Sequence, residues 1–187
     1  MKLPVRALVL ATTLGAALSL FAVLMRPLSI EELGGKADLI VQGVVTNKTC
    51  LRDEANRIYT KIEIQVIEVL KGRGVGGALT VEHGGGTIGD RRQEVSGQVE
   101  YIVGEEVLGF FVLNPRGRAV TIGLCQGKFD IWQDKQTGEK FAHNIFHGAP
   151  PPRSSPQQVP SNQPEVNELR VPLKLSDLKT QILEVNK

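Results

Sequence analysis

The chain has 187 residues, of which 22 are basic and 20 acidic, giving a formal charge of +2, with two cysteines and 5% aromatic residues. Lys2 and Arg6 are the only charged residues before Arg26, so the rest of the chain balances at 20 basic against 20 acidic. A neutral body sparse in aromatics has no electrostatic footprint for nucleic acid, and that partner class is excluded.

Residues 7–25 carry no charge and are richest in Leu, Ala and Val. At about 1.5 Å per helical residue this run reaches roughly 28 Å, close to the hydrocarbon thickness of a bilayer. With the basic start, residues 1–25 read as a signal peptide or as an uncleaved signal anchor, with Lys2 and Arg6 held on the cytoplasmic side. The best small-x-small triplet, Ala17-Leu18-Ser19, lies inside the apolar run, which leaves both readings open. Either way the working domain is expected outside the cytoplasm, periplasmic or secreted. A tether to the inner membrane by this segment is the alternative to free release.

Ser29 followed by Glu32 predicts a capping box and one or two helical turns, ended by Gly34-Gly35. Residues 38–46, apolar on both faces around Gly43, predict a central bent strand. Residues 50–56 are polar and turn-like. Residues 57–70 alternate, with Ile58, Thr60, Ile62, Ile64 and Val66 on one face and Tyr59, Lys61, Glu63 and Gln65 on the other. The phase breaks at Val66-Ile67, after which Ile67 and Val69 become the apolar set. Such a slip is what a β-bulge inserts, and it bends the strand.

A glycine-rich turn at residues 71–77 leads to a short strand with Leu79, Val81 and His83 on one face, stopped by Gly84-Gly85-Gly86. After a polar loop at residues 87–98, strands are predicted at 100–103, 107–113, 119–126, 128–132 and 141–144. Asn114-Pro115-Arg116-Gly117 is a turn between two of them. Residues 26–148 are therefore expected to be all-β, a small antiparallel barrel of bent strands or a sandwich. Residues 149–166 hold six prolines among Ser, Gln and Asn and read as an extended linker. Residues 167–187 contain a short amphipathic helix with Leu175, Leu178, Ile182 and Val185 on one face and Ser176 as N-cap. A helix this short is not stable alone and is expected to dock on the barrel or on a partner.

Several motifs match patterns that carry chemistry elsewhere. Gly72, Gly74 and Gly77 match a dinucleotide fingerprint, but a strand follows where that chemistry needs a helix. His83-Gly84-Gly85-Gly86 spells an esterase oxyanion loop, yet no G-x-S-x-G accompanies it, and Glu94 stands where a glycine is required before Ser96. The glycines read better as a place where backbone approaches something closely. His83, His143 and His147 are candidate metal ligands, although the four-residue spacing of the last two suits zinc only on a helix, and surface or loop histidines are the plainer reading. Glu31-Glu32 and Glu105-Glu106 sit in helix-start and turn positions and do not form a glycosidase pair.

Cys50 and Cys125 are a disulfide candidate in an oxidising compartment, closing a span worth about 4 kcal/mol by chain entropy, or else two unpaired small hydrophobes near strands. Phe110, Phe111, Phe129 and Trp132 read as core. Gly84, Gly85, Gly86, Gln126 and Lys128 mark the candidate functional surface.

Residues 37–45, the Val66-Ile67-Glu68-Val69-Leu70-Lys71-Gly72 string, the triple glycine, Gly104-Glu105-Glu106-Val107 and Gln126-Gly127-Lys128-Phe129 form an ordered set over residues 29–148. This set resembles a recurrent class of exported bacterial proteins without an assigned activity. More remotely, it is similar to netrin-like domains, including the tissue inhibitors of metalloproteinases, which implies an OB-type barrel. Those inhibitors present an N-terminal cysteine to a protease zinc, and here no cysteine precedes Cys50. The resemblance carries over no catalytic residue.

The expectation is thus an extracytoplasmic, non-catalytic binding module with no cofactor, acting on a protein or another envelope partner. The alternatives are a metal-binding protein or metal-dependent enzyme using the histidines, and a membrane-tethered structural protein of the envelope.

Overall fold

The computed structural model describes residues 26–152 and 170–186. A short helix, α1 (Ile30–Lys36), precedes two long strands, β1 (Leu39–Arg52) and β2 (Ile58–Lys71). They are followed by β3 (Ala78–Gly84), a small hairpin of β4 (Gly86–Ile88) and β5 (Arg91–Gln93), and then β6 (Glu106–Leu113), β7 (Ala119–Thr121), β8 (Lys128–Gln133) and β9 (Lys140–His143). β10 (Leu173–Lys174) runs directly into helix α2 (Leu175–Val185).

Strands β1, β2, β3, β7 and β6 pair in that order, and β6 pairs back onto β1, closing a five-stranded ring. Every pairing in the ring is antiparallel except β3 with β7, which meet in parallel at Val81 and Ala119. The result is the expected small all-β barrel of OB-like type. The second edge of β6 is shared: β8 takes residues 106–109 and β7 takes 111–113, so β8, β9 and β10 continue the sheet away from the ring.

This arrangement explains why β1 and β6 are apolar on both faces. Leu39, Val41 and Val45 point into the barrel with Val107, Phe111, Ile62, Ile64 and Val81. Ile40, Leu108 and Phe110 point outward, where Leu33 of α1 and Leu178 and Ile182 of α2 cover them. Two cores therefore share the same strands, and both helices exist to bury the outer one. The capping box predicted for α1 is present: Ser29 Oγ accepts from Glu32 N, and Glu32 Oε2 accepts from Ser29 N. The docking expected of the C-terminal helix is also observed.

The bend predicted in β2 lies where the pattern placed it. Pairing with β1 steps from Gly43–Val66 to Gln42–Glu68, leaving Ile67 as the extra residue, and further shifts leave Leu70 and Thr46 extra. A side chain at Gly43 would collide with the Gln65 carbonyl and the Ile64 side chain, so the bend needs glycine there. The new apolar face expected beyond the bend does not form. Ile67 and Val69 are 55% and 38% exposed, whereas Val66 and Leu70 pack against the two cores. Two extra residues within four re-phase the strand, and β3 pairs only with residues 59–65, so among the described residues no strand continues the sheet beside this stretch.

Other departures have equally local causes. β1 continues through Cys50 to Arg52, so only residues 53–56 turn. Residues 100–103 are not a strand but part of a loop that sends Val99 and Tyr101 into the barrel, with the Tyr101 hydroxyl 2.7 Å from Thr121 Oγ1. Of residues 119–126 only the first three are extended, and the supposed loop at 87–98 contains the β4–β5 hairpin. α1 runs through Gly34-Gly35 to Lys36, with Val185 of α2 beside the bare face of Gly34. α2 starts after Lys174, not Ser176, since its pairing strand β10 leads straight into the helix.

Of the two readings of Cys50 and Cys125, the bridge is not formed, and both side chains are half-buried. Cys50 lies in the half of β1 that pairs with β2 alone, while Cys125 lies in the β7–β8 connection against the barrel core. Among the described residues no helix is long and apolar enough to cross a membrane. The apolar run at residues 7–25 and most of the proline-rich linker lie outside the described residues.

Candidate binding clefts

Three clefts adjoin one another on the barrel. The first is framed by two turns. In the β1–β2 turn, Asp53 is the pivot: its Oδ1 accepts from Arg57 N at 2.9 Å and its Oδ2 from Arg57 Nε at 2.8 Å. These donors hold the Asp53 carboxyl below the usual carboxylate range. Asn56, in the left-handed region at φ 59, accepts from Arg52 Nη1 at 2.8 Å. In the β6–β7 turn, Asn114 Oδ1 accepts from Arg116 N at 2.9 Å and Arg118 N at 3.0 Å. Between the turns lies an open groove of about 570 Å³, with Arg52, Arg57, Arg116, Arg118 and half-buried Tyr59 on its walls. Arg118 reaches Glu82 on β3 at 3.8 Å, and no carboxylate among the described residues pairs with Arg116.

The second cleft holds the triple glycine. Cys50, Thr60 and His83 are successive cross-strand partners on β1, β2 and β3 and so share one face. Thr60 Oγ1 donates to the Gly85 carbonyl at 2.7 Å and lies 3.5 Å from Cys50 Sγ. A Cβ on Gly86, at φ 138, would come within 2.6 Å of Thr60 Oγ1 and 2.7 Å of Cys50 Sγ. The close approach read from the glycines is thus to Cys50 and Thr60. The Gly85 N–H is spent on the Ile58 carbonyl, so it is not a donor awaiting an oxyanion. His83 Nδ1 donates to the Gly84 carbonyl at 2.9 Å, which leaves Nε2 as a buried acceptor with no partner among the described residues. Its ring stacks on Tyr101, and burial lowers its pKa.

The third cleft, about 550 Å³, surrounds Lys128. Its ammonium lies 2.6 Å from Glu105 Oε1 and 2.7 Å from the Glu100 carbonyl, above the Tyr101 ring at 5.0 Å. Asp130 Oδ1 is 2.7 Å away as an ion pair but lacks hydrogen-bond geometry. His143 stands opposite Asp130 across β8 and β9, and burial outweighs that carboxylate to lower its pKa. Burial likewise pushes the Cys125 thiol up.

The residues marked in the sequence therefore separate. Gly84, Gly85 and Gly86 line the second cleft, with Gly84 also bordering the first. Lys128, expected at the surface, is only 5% exposed and fastens the 98–105 loop to β8. Gln126, also expected there, is 4% exposed. Its amide clamps the start of the domain, accepting from Leu28 N at 2.7 Å and donating to the Arg26 carbonyl at 3.2 Å.

The three histidines do not meet. His83 is in the second cleft, His143 in the third, and His147 donates to the Leu28 carbonyl while stacking on Phe129. Among the described residues no group of three or more His, Cys, Asp or Glu side chains is arranged to hold a metal.

The arginine groove was missed from sequence, because its two turns lie far apart along the chain. Its only local signals are Arg52 and Arg57 flanking one turn and Arg116 and Arg118 in the other. No protein-family model matches the chain, and no curated protein matches it.

Proposed function

We propose that the chain is an extracytoplasmic, non-catalytic binding module whose ligand surface is the arginine groove. The observation that carries this reading is the pair of internally braced turns holding four guanidiniums around one open groove. OB-type barrels engage ligands with the face of their second and third strands and the loops joining strands one to two and four to five. In this ring those places are β2, β3, the β1–β2 turn and the β6–β7 turn, which are the walls of the groove. Rigid walls favour binding, since little order has to be created when a ligand arrives.

The location rests on Lys2, Arg6 and the uncharged run that follows them. The test is comparative retention: immobilised full-length chain and its Arg52→Glu/Arg116→Glu variant are exposed to the same envelope extract. The wild type is expected to retain a species that the variant releases. Identical retention by both would remove the groove as the ligand surface.

A tethered form has one observation in its favour. Gln126 and His147 fix Arg26 and Leu28 to the barrel immediately after the apolar run, so a retained run would hold the barrel close against the bilayer. Membrane fractionation of the tagged chain decides this, and a freely soluble periplasmic pool contradicts it.

A further inference from the structure

We infer that the ligand of the arginine groove is an acidic carbohydrate chain, bound through carboxylate or sulfate groups by Arg52 and Arg116 and through hydroxyls by Glu54, Glu82 and Asn114. The inference rests on the groove being the ligand surface.

The charges in the groove are unevenly committed. Arg57 is consumed by Asp53, and Arg118 leans on Glu82 at 3.8 Å. Among the described residues Arg52 has only the neutral Asn56 amide and Arg116 has no carboxylate partner. Two guanidiniums therefore stand un-neutralised, each a planar fork matched to a carboxylate or sulfate. Glu54 and Glu82 interrupt them on the same walls.

A ligand bearing a phosphate on every unit would be repelled by those two carboxylates, and the neutral body supplies no wider field to hold it. A peptide recognised through its backbone is disfavoured for another reason. The turn amides that could meet it are already spent: Arg57 N on Asp53, Arg116 N and Arg118 N on Asn114 Oδ1, and Gly117 N on the Asn114 carbonyl. Recognition has to come from side chains that alternate donors and acceptors. Sugar hydroxyls with an occasional acidic group match such a surface, and the ring of Tyr59 offers a flat apolar face of the kind that packs on a sugar. The groove's size falls within the usual range for small-ligand sites.

The test is calorimetric titration of the full chain with five probes of matched length: an oligosaccharide in which uronate alternates with neutral sugar, its methyl ester, a sparsely sulfated neutral oligosaccharide, oligo-glutamate and a single-stranded oligonucleotide. The uronate-bearing or the sulfated sugar is expected to bind, and the comparison tells which acid is read. The uncharged ester should bind at least about tenfold more weakly, as should either charged sugar to Arg116→Gln, given what a charged hydrogen bond contributes. Among the described residues Arg116 makes no ion pair, so this variant is expected to keep the wild-type thermal midpoint. Binding of the ester equal to that of the acid, or no binding by either charged sugar, overturns the inference. If oligo-glutamate or the oligonucleotide binds best and Arg116→Gln weakens it, the ligand class is wrong while the groove stands. If a charged sugar binds and Arg116→Gln leaves it unchanged, the groove itself is wrong.

Discussion

At the scale of single residues, the positions that matter most are those where an atom has no room or no partner. Gly86 sits at φ 138 with Thr60 and Cys50 directly against it. Gly86→Ala is expected to cost about 2–3 kcal/mol, because the backbone is strained for any L side chain and the added carbon meets two tightly packed groups. Urea unfolding measures this, and a loss below about 0.5 kcal/mol would mean that the cleft yields. His83 and His143 are both kept neutral by burial, their pKa values lying below the ordinary 6.5. Below that pH the unfolded chain takes up protons that the folded chain refuses. Stability is therefore lost as pH falls from about 6.5 toward the folded values. The urea midpoint should drop between pH 7.5 and 5.5, and the His83→Gln/His143→Gln double variant should flatten that slope. An unchanged slope in the variant would contradict the assignment.

At the scale of elements, the two helices and the 98–105 loop are held by few contacts of high value. Leu178 and Ile182 of α2 are fully buried against Leu33, Phe110 and Phe129. Leu178→Ala should cost about 2–5 kcal/mol and release α2 before the barrel unfolds, which residue-resolved hydrogen exchange would detect. Coincident loss of protection in α2 and β6 would show a single cooperative unit instead. Lys128→Met removes a buried cation from between Glu105 and Asp130 and should cost about 3 kcal/mol, somewhat softened because Asp130 is partly exposed. The loop carrying Tyr101 should loosen with it.

Much of this architecture was legible from periodicity. The alternation at residues 57–70 and the break at Val66-Ile67 locate β2 and its bulge, and Ser29 with Glu32 locates the start of α1. The 98–105 loop was not legible, since Val99, Tyr101 and Val103 alternate like a strand, while the contacts that hold the loop come from distant residues, Lys128, Val45 and Thr121. The same holds for the exposed Ile67 and Val69, whose fate depends on how far β3 extends.

At the scale of the molecule, closure of β1 onto β6 makes the barrel, and the sheet that continues through β8, β9 and β10 carries the helices on its outer face. Closure also brings the β1–β2 and β6–β7 turns to one groove, which no sequence window contains. That is why the residues marked for function separate, His83 and His143 into different clefts and His147 and Gln126 onto the start of the domain, while arginines distant in sequence frame the open groove. The global charge balance hid them as well, because four arginines in a neutral body leave no mark on a total.

The central claim, that this groove is where the protein binds, is tested most directly by the Nε–Hε NMR signals of its arginines. The full chain would be titrated with the species retained from envelope extract. Shifts at Arg52, Arg116 and Arg118 with little change at the Lys128 cleft are predicted. Unchanged arginine signals, with shifts at residues 98–105 and Lys128 instead, would contradict the account.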